Sequence, residues 1–172
     1  SGRFGRALRG PRLEVAAALA DLGGGDQRLL GVGGPALERA RAANVAVVGA
    51  PTLPAWQRYT GVVWEHLDVA GLPADARHRA TDAVIVVSAL TGLTALDDPV
   101  PDHRLKLSVR LDPLGKLSSW WQPSVSSVLD RHLAGRFVVD LLPQEHAAAW
   151  APSSGAHDHR RVRFVGRDGR VA

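Results

Sequence analysis

The sequence predicts an α+β fold, a mixed β-sheet flanked by helices. Three observations carry that prediction. Segments with a helical apolar period alternate with short apolar or alternating runs of strand length. Those strand-like runs are too few and too irregularly spaced for a repeating βαβ wheel. No self-similarity at a solenoid period is visible. A chain of 172 residues suffices for one domain with a real core, and we read residues 1–172 as a single domain.

Pro11 sits where a helix can start, and Leu13 to Leu22 is Ala-rich with helical spacing, ended by Gly23-Gly24-Gly25. Pro35 to Ala43 reads as a second helix. Asn44 to Gly49 reads as its extension or as a short β-branched run, before Pro51 and Pro54 mark a boundary. Trp56, Tyr59, Val63 and Leu67 recur every three or four residues, which predicts a packed helix over 56–67. Ala83 to Val87 is continuously apolar, as in a strand covered on both faces. From Arg104 to Leu111 the alternation of Leu105, Leu107, Val109 and Leu111 with Lys106, Ser108 and Arg110 predicts a half-buried strand. Ser118 to Leu133 follows a helical pattern with Gly135 as its stop. Phe137 to Leu142 reads as another buried strand, Pro152 to Gly155 as an exposed loop, and Arg161 to Val165 as an alternating strand.

Composition narrows the function. The chain is 45% hydrophobic and 22% charged, ordinary for a globular protein, and no apolar run reaches the roughly 18–20 residues that cross a bilayer. No signal peptide opens it, so no membrane partner is expected. It has no Cys, hence no disulfide and no thiolate metal site, which fits a reducing compartment. It also has no Met, and with its opening Ser1-Gly2-Arg3 it reads as a fragment or trimmed chain. Lys106 and Lys116 are the only lysines among 21 basic residues, and the net charge is +4. The Arg excess reflects either GC-rich coding or a use for the planar guanidinium on phosphate and carboxylate. No phosphate-cradling Gly-Lys loop, no metalloprotease His pair and no serine-hydrolase elbow is present. Gly31-Val32-Gly33-Gly34 lacks a preceding strand and the Lys of a nucleotide loop.

Several residues invite a chemical reading. Tyr59, the only Tyr, either packs in the core or edges a pocket with Arg58. Ser88 to Leu93 follows a predicted strand, where turns often hold ligands and backbone N–H groups can cradle an anion. Arg104 is a surface charge or a buried anion clamp. Trp120 and Trp121 diverge by about 100° on a helix, so one is expected inside and the other half-exposed. His157-Asp158-His159 has metal-like spacing, yet the loop and the neighbouring Arg160 and Arg161 favour a solvated turn, and no metal is expected.

Five stretches taken together carry a resemblance: Arg58-Tyr59-Thr60-Gly61, Ser88-Ala89-Leu90-Thr91-Gly92-Leu93, His103-Arg104-Leu105, Trp120-Trp121 and Val138-Val139-Asp140-Leu141. At these spacings the chain resembles the YaaA family of bacterial peroxide stress response proteins, from about Thr52 to about Trp150. Ala89 and Thr91 stand where the family has Gly and Tyr. Thr94-Ala95-Leu96 replaces its Leu-Arg-Pro, and Pro143 and His146 replace a Ser and a Tyr. The resemblance implies a YaaA-like mixed α/β domain with a positively charged cleft. It also implies a cytoplasmic role in peroxide stress, restraint of free iron and a DNA-binding character. It makes Arg58, Tyr59, Thr60, Ser88, Arg104 and Asp140 the expected site residues, gathered around one concavity. No cofactor is implied. The expected partner is double-stranded DNA, bound weakly and without sequence preference. The competing expectation is a diverged enzyme or a binder of a small anion on the same scaffold.

Overall fold

The computed structural model describes residues 2–155, 157–163 and 165. It is α+β, but the described strands form four separate two-stranded ladders instead of one sheet. Helix α1 spans Arg9–Asp21 and buries Val15, Ala16, Ala18 and Leu19. The glycine run ends it as predicted, with N–H groups of residues 22–24 returning to carbonyls of the last turn. A short α2, Gln27–Leu30, is capped by Asp26, whose carboxylate accepts the N–H of Leu29 at 2.7 Å. Helix α3, Gly34–Val45, confirms the second predicted helix and extends it to Val45.

The predicted helix over 56–67 is broken. Strand β1, Thr52–Pro54, leads into α4, Ala55–Arg58, and α5 runs from Val62 to Leu67. Between them Gly61 has φ 108° and ψ 175°, a backbone region essentially reserved for Gly. The chain turns there, and Val63, expected inside, is 74% exposed. Helix α6, Ala74–Ala83, carries no apolar stripe that would have announced it.

Strand β2, Ile85–Ser88, and β3, Gly92–Ala95, form an antiparallel hairpin, Ile85 opposite Ala95 and Ser88 opposite Gly92. Strand β4, Pro99–Pro101, pairs antiparallel with β1. Only Arg110–Leu111 of the predicted 104–111 strand is one; this is β5, paired with β6, Gly115–Lys116. The inward alternation is real, since Leu107 and Leu111 are buried. The backbone, however, finds other partners. The side chain of Asn44 brackets Arg104, accepting its N–H and donating to its carbonyl, each at 2.9 Å. The first N–H groups of the next helix donate to the carbonyls of Leu107 and Val109.

That helix, α7, spans Leu117–His132 and lays Leu117, Trp121, Val125, Val128 and Leu129 into the core. The predicted buried strand after it is short and half covered. Among the described residues strand β7, Phe137–Asp140, pairs only with the parallel β8, Asp158–Arg161, and leaves Phe137 64% exposed. The loop expected to hold Asp158 to Arg160 is therefore strand, and part of the predicted 161–165 strand falls outside the described residues. A short α8, Gln144–Ala147, lies in the β7–β8 connection. The main core packs α1, the β2–β3 hairpin, the 107–111 segment and α7 around Trp121.

Candidate functional site

Five of the six expected site residues line one cleft of about 670 Å³. Arg58, Tyr59 and Thr60 come from the end of α4 and the turn before α5. Ser88 comes from the end of β2, and Arg104 from the extended segment after β4. Asp140 does not line it. Its carboxylate, almost fully buried, accepts the Leu142 N–H at 2.8 Å and lies 3.6 Å from Arg161 Nε and 3.4 Å from His159 Nε2. Asp140 thus ties β7 to β8. His157, expected in a solvated turn, instead stacks on the Trp150 ring, centroids 5.5 Å apart.

The turn after β2 is also not an open anion cradle. Ala89, Leu90, Thr91 and Leu93 are buried, and the hairpin tip is fastened from both sides. Arg12 of α1 donates to the carbonyls of Thr91 at 2.8 Å and Leu93 at 2.7 Å. Trp121 Nε1 donates to the Ala89 carbonyl at 2.8 Å. Burial lowers the Arg12 guanidinium from its ordinary value, against Asp98 and Tyr59, which raise it. Trp121 is fully buried while the neighbouring Trp120 is half-buried against it, as their helical divergence requires.

The cleft carries charge that its surroundings do not cancel. Arg58 Nη1 pairs with Asp102 at 3.4 Å. Arg104 and Lys106 have no carboxylate partner among the described residues. Arg104 is held by its Nε, which donates to the Leu30 carbonyl at 2.9 Å at the end of α2. That bond orients the guanidinium while its outer nitrogens stay free of a protein acceptor among the described residues.

The cleft is also aromatic. The Tyr59 ring stacks on Trp64, centroids 5.2 Å apart and planes at 27°, and His103 meets Tyr59 edge-on. Tyr59 Oη is buried without a hydrogen-bond partner among the described residues, as is His146 Nδ1. His103 Nδ1 lies 3.0 Å from the Pro101 carbonyl, which can only accept, so Nδ1 carries the hydrogen and Nε2 keeps its lone pair. Burial lowers the His103 pKa below its ordinary value, more than the Pro101 bond and Asp102 raise it. Burial lowers His146 as well, against a raising effect of Glu145. Both imidazoles therefore favour the neutral form more than a free imidazole does. Sequence reasoning missed Trp64, Lys106 and Asp102 as wall residues. Gly61 was the available signal, because a turn there swings Trp64 back over Tyr59.

No described helix is long and apolar enough to cross a membrane. In comparisons with known proteins, residues 24–171 match the family described as peroxide stress protein YaaA. The chain is 36% identical over 111 residues to a UPF0246 protein of Streptomyces coelicolor, covering 64% of this chain and 43% of that one. A UPF0246 protein of Corynebacterium glutamicum is 34% identical over 102 residues, 57% of this chain and 39% of that one. One of Idiomarina loihiensis is 31% identical over 104 residues, 58% and 40%. The chain thus spans about two-fifths of the length of these relatives.

Proposed function

The chain belongs to the YaaA family of peroxide stress proteins, and from that premise we propose that it acts in the cytoplasm by holding double-stranded DNA through its phosphates, limiting oxidative damage. The observation that carries this reading is the pair of cations, Arg104 and Lys106, on one cleft wall with no carboxylate partner among the described residues. Arg58 adds a third cation, partly neutralised by Asp102. Phosphates attract such charge whatever the base sequence, so binding is sequence-independent. A net charge of +4 keeps it weak and salt-sensitive.

A second reading, a small-anion binder or an enzyme built on the same cleft, draws support from Tyr59 Oη and His146 Nδ1, buried and unpartnered among the described residues.

The test is a titration of labelled duplex at low and moderate salt with three variants. Lys106→Ala is expected to weaken binding roughly tenfold, with an unchanged melting temperature, because it removes one charge-assisted contact worth about 1.5 kcal/mol. Arg104→Ala should weaken binding at least as much and also lower the melting temperature, since it frees the Leu30 carbonyl. Arg160, exposed on β8 and paired with Asp158, should be nearly silent. Absence of duplex binding at low salt, or binding indifferent to salt, would reject the DNA reading in favour of the small anion.

A further inference from the structure

Phosphate contacts leave half of the cleft unexplained. Duplex phosphates need cations at an open surface, and they do not need stacked aromatic rings or a tautomer-fixed imidazole. The cleft has both. Tyr59 and Trp64 stack at 5.2 Å, and His103 closes the corner edge-on, 6.3 Å from Tyr59. Its volume of about 670 Å³ lies within the ~300–1,000 Å³ of small-molecule sites. The polar groups among the rings differ in kind. The Asp102 and Glu145 carboxylates accept hydrogen bonds, the Thr60 and Ser88 hydroxyls do both, and His103 Nε2 offers a lone pair. Cations for a phosphate, aromatic faces for a flat ring and mixed donors and acceptors for its edge describe one ligand class.

Resting on the DNA reading for its phosphate contacts, we propose that the cleft receives a single unstacked nucleotide, its base against the Tyr59–Trp64 pair and its phosphate on Arg104 and Lys106. A paired base cannot reach such a site, because its faces are covered in the stack and its edge is engaged. The nucleotide is therefore either unpaired within a strand or free as a monophosphate. Stacking on aromatic side chains tolerates any base, so the site selects exposure of a base and not its identity.

Three probes at one low salt concentration decide it. These are a labelled, fully paired duplex, the same duplex with one unpaired thymidine at its centre, and unlabelled thymidine monophosphate as competitor. The unpaired probe is expected to bind roughly five- to a hundredfold more tightly than the paired one. Trp64→Ala should bring that ratio close to one, and Trp64→Phe, which keeps a stacking ring, should retain most of it. The Phe variant also guards against a fold defect in the Ala variant. Displacement by thymidine monophosphate, lost in Trp64→Ala, would show that free nucleotides enter. A ratio above one without displacement would assign the site to nucleotides in a strand. Equal affinities with no displacement would overturn the proposal, as would a ratio that survives Trp64→Ala. Neither result touches the phosphate reading, which stands or falls on the salt dependence of the paired probe.

Discussion

His103 shows how one side chain serves both stability and site. Its hydrogen bond to the Pro101 carbonyl fixes the ring, and burial makes the charged form unfavourable. His146 and His132 are also lowered, chiefly by burial. The sign of the consequence follows. Below the ordinary imidazole value of about 6.5, the unfolded chain binds more protons than the folded one. The stability these residues confer is complete above that pH and is lost as pH falls towards their depressed folded values. Urea midpoints measured from about pH 7 down to about pH 5 should therefore decline. His103→Asn keeps a donor near Pro101 but cannot titrate, so its decline should be shallower. An identical slope in wild type and variant would clear His103 of any part in it. The residues themselves were readable in the sequence only as motif members. Arg58, Tyr59, Thr60, Ser88 and Arg104 meet because element ends meet. Asp140 sits at an element end too, but its strand pairs with β8 and turns its carboxylate to Arg161.

Among the elements, the β2–β3 hairpin and α7 form the unit on which the rest depends. Gly92, opening β3, has φ +69°, and a Cβ there would stand 2.6 Å from Trp121 Cζ3. Trp121 cannot retreat, being fully buried and bonded to the Ala89 carbonyl. Gly92→Ala thus combines left-handed strain with overpacking and should cost about 1–3 kcal/mol, or more where the two add. A fall in melting temperature with the far-UV spectrum retained is the expected result, and a fully stable variant would show that Trp121 moves. Helices α1 and α7 were legible because an apolar pattern and a following glycine mark each one, and α3 because Pro35 marks its start. Strands β2 and β7 were legible too, since the apolar runs at 83–87 and 137–142 overlap Ile85–Ser88 and Phe137–Asp140. Other elements were not, for identifiable reasons. The 56–67 period runs on through Gly61, where the backbone turns. The 104–111 alternation reports which side faces the core, but the Asn44 amide and the α7 N-terminus take the hydrogen bonds that a neighbouring strand would have taken. Alternation measures burial, and a ladder needs a partner that no local pattern announces.

At the scale of the molecule, charge and cohesion are distributed unequally. Cations face the cleft from α4 and the 104–106 segment, whereas the main core lies behind it, around Trp121. Among the described residues the four ladders share no strands, so hydrogen bonding there does not weld them into one sheet. The β7–β8 ladder is the least covered of them, with Phe137, Val139 and Leu141 all more than half exposed. Yet the connection between its two strands carries α8, whose Glu145 and His146 line the cleft. Amide hydrogen exchange should resolve this as two cooperative units. Amides of α7 and the hairpin are expected to exchange only through global unfolding, and those of β7 and β8 through a cheaper opening of their own. Uniform protection across both would refute that division. In the cheaper opening Asp140 would let go of Arg161, and one wall of the cleft would swing with the loosened strands while the cations opposite stayed anchored to α2 and α3. A bound ligand touching both walls would then slow exchange at β7 and β8, far from any residue it contacts, by holding the two units together.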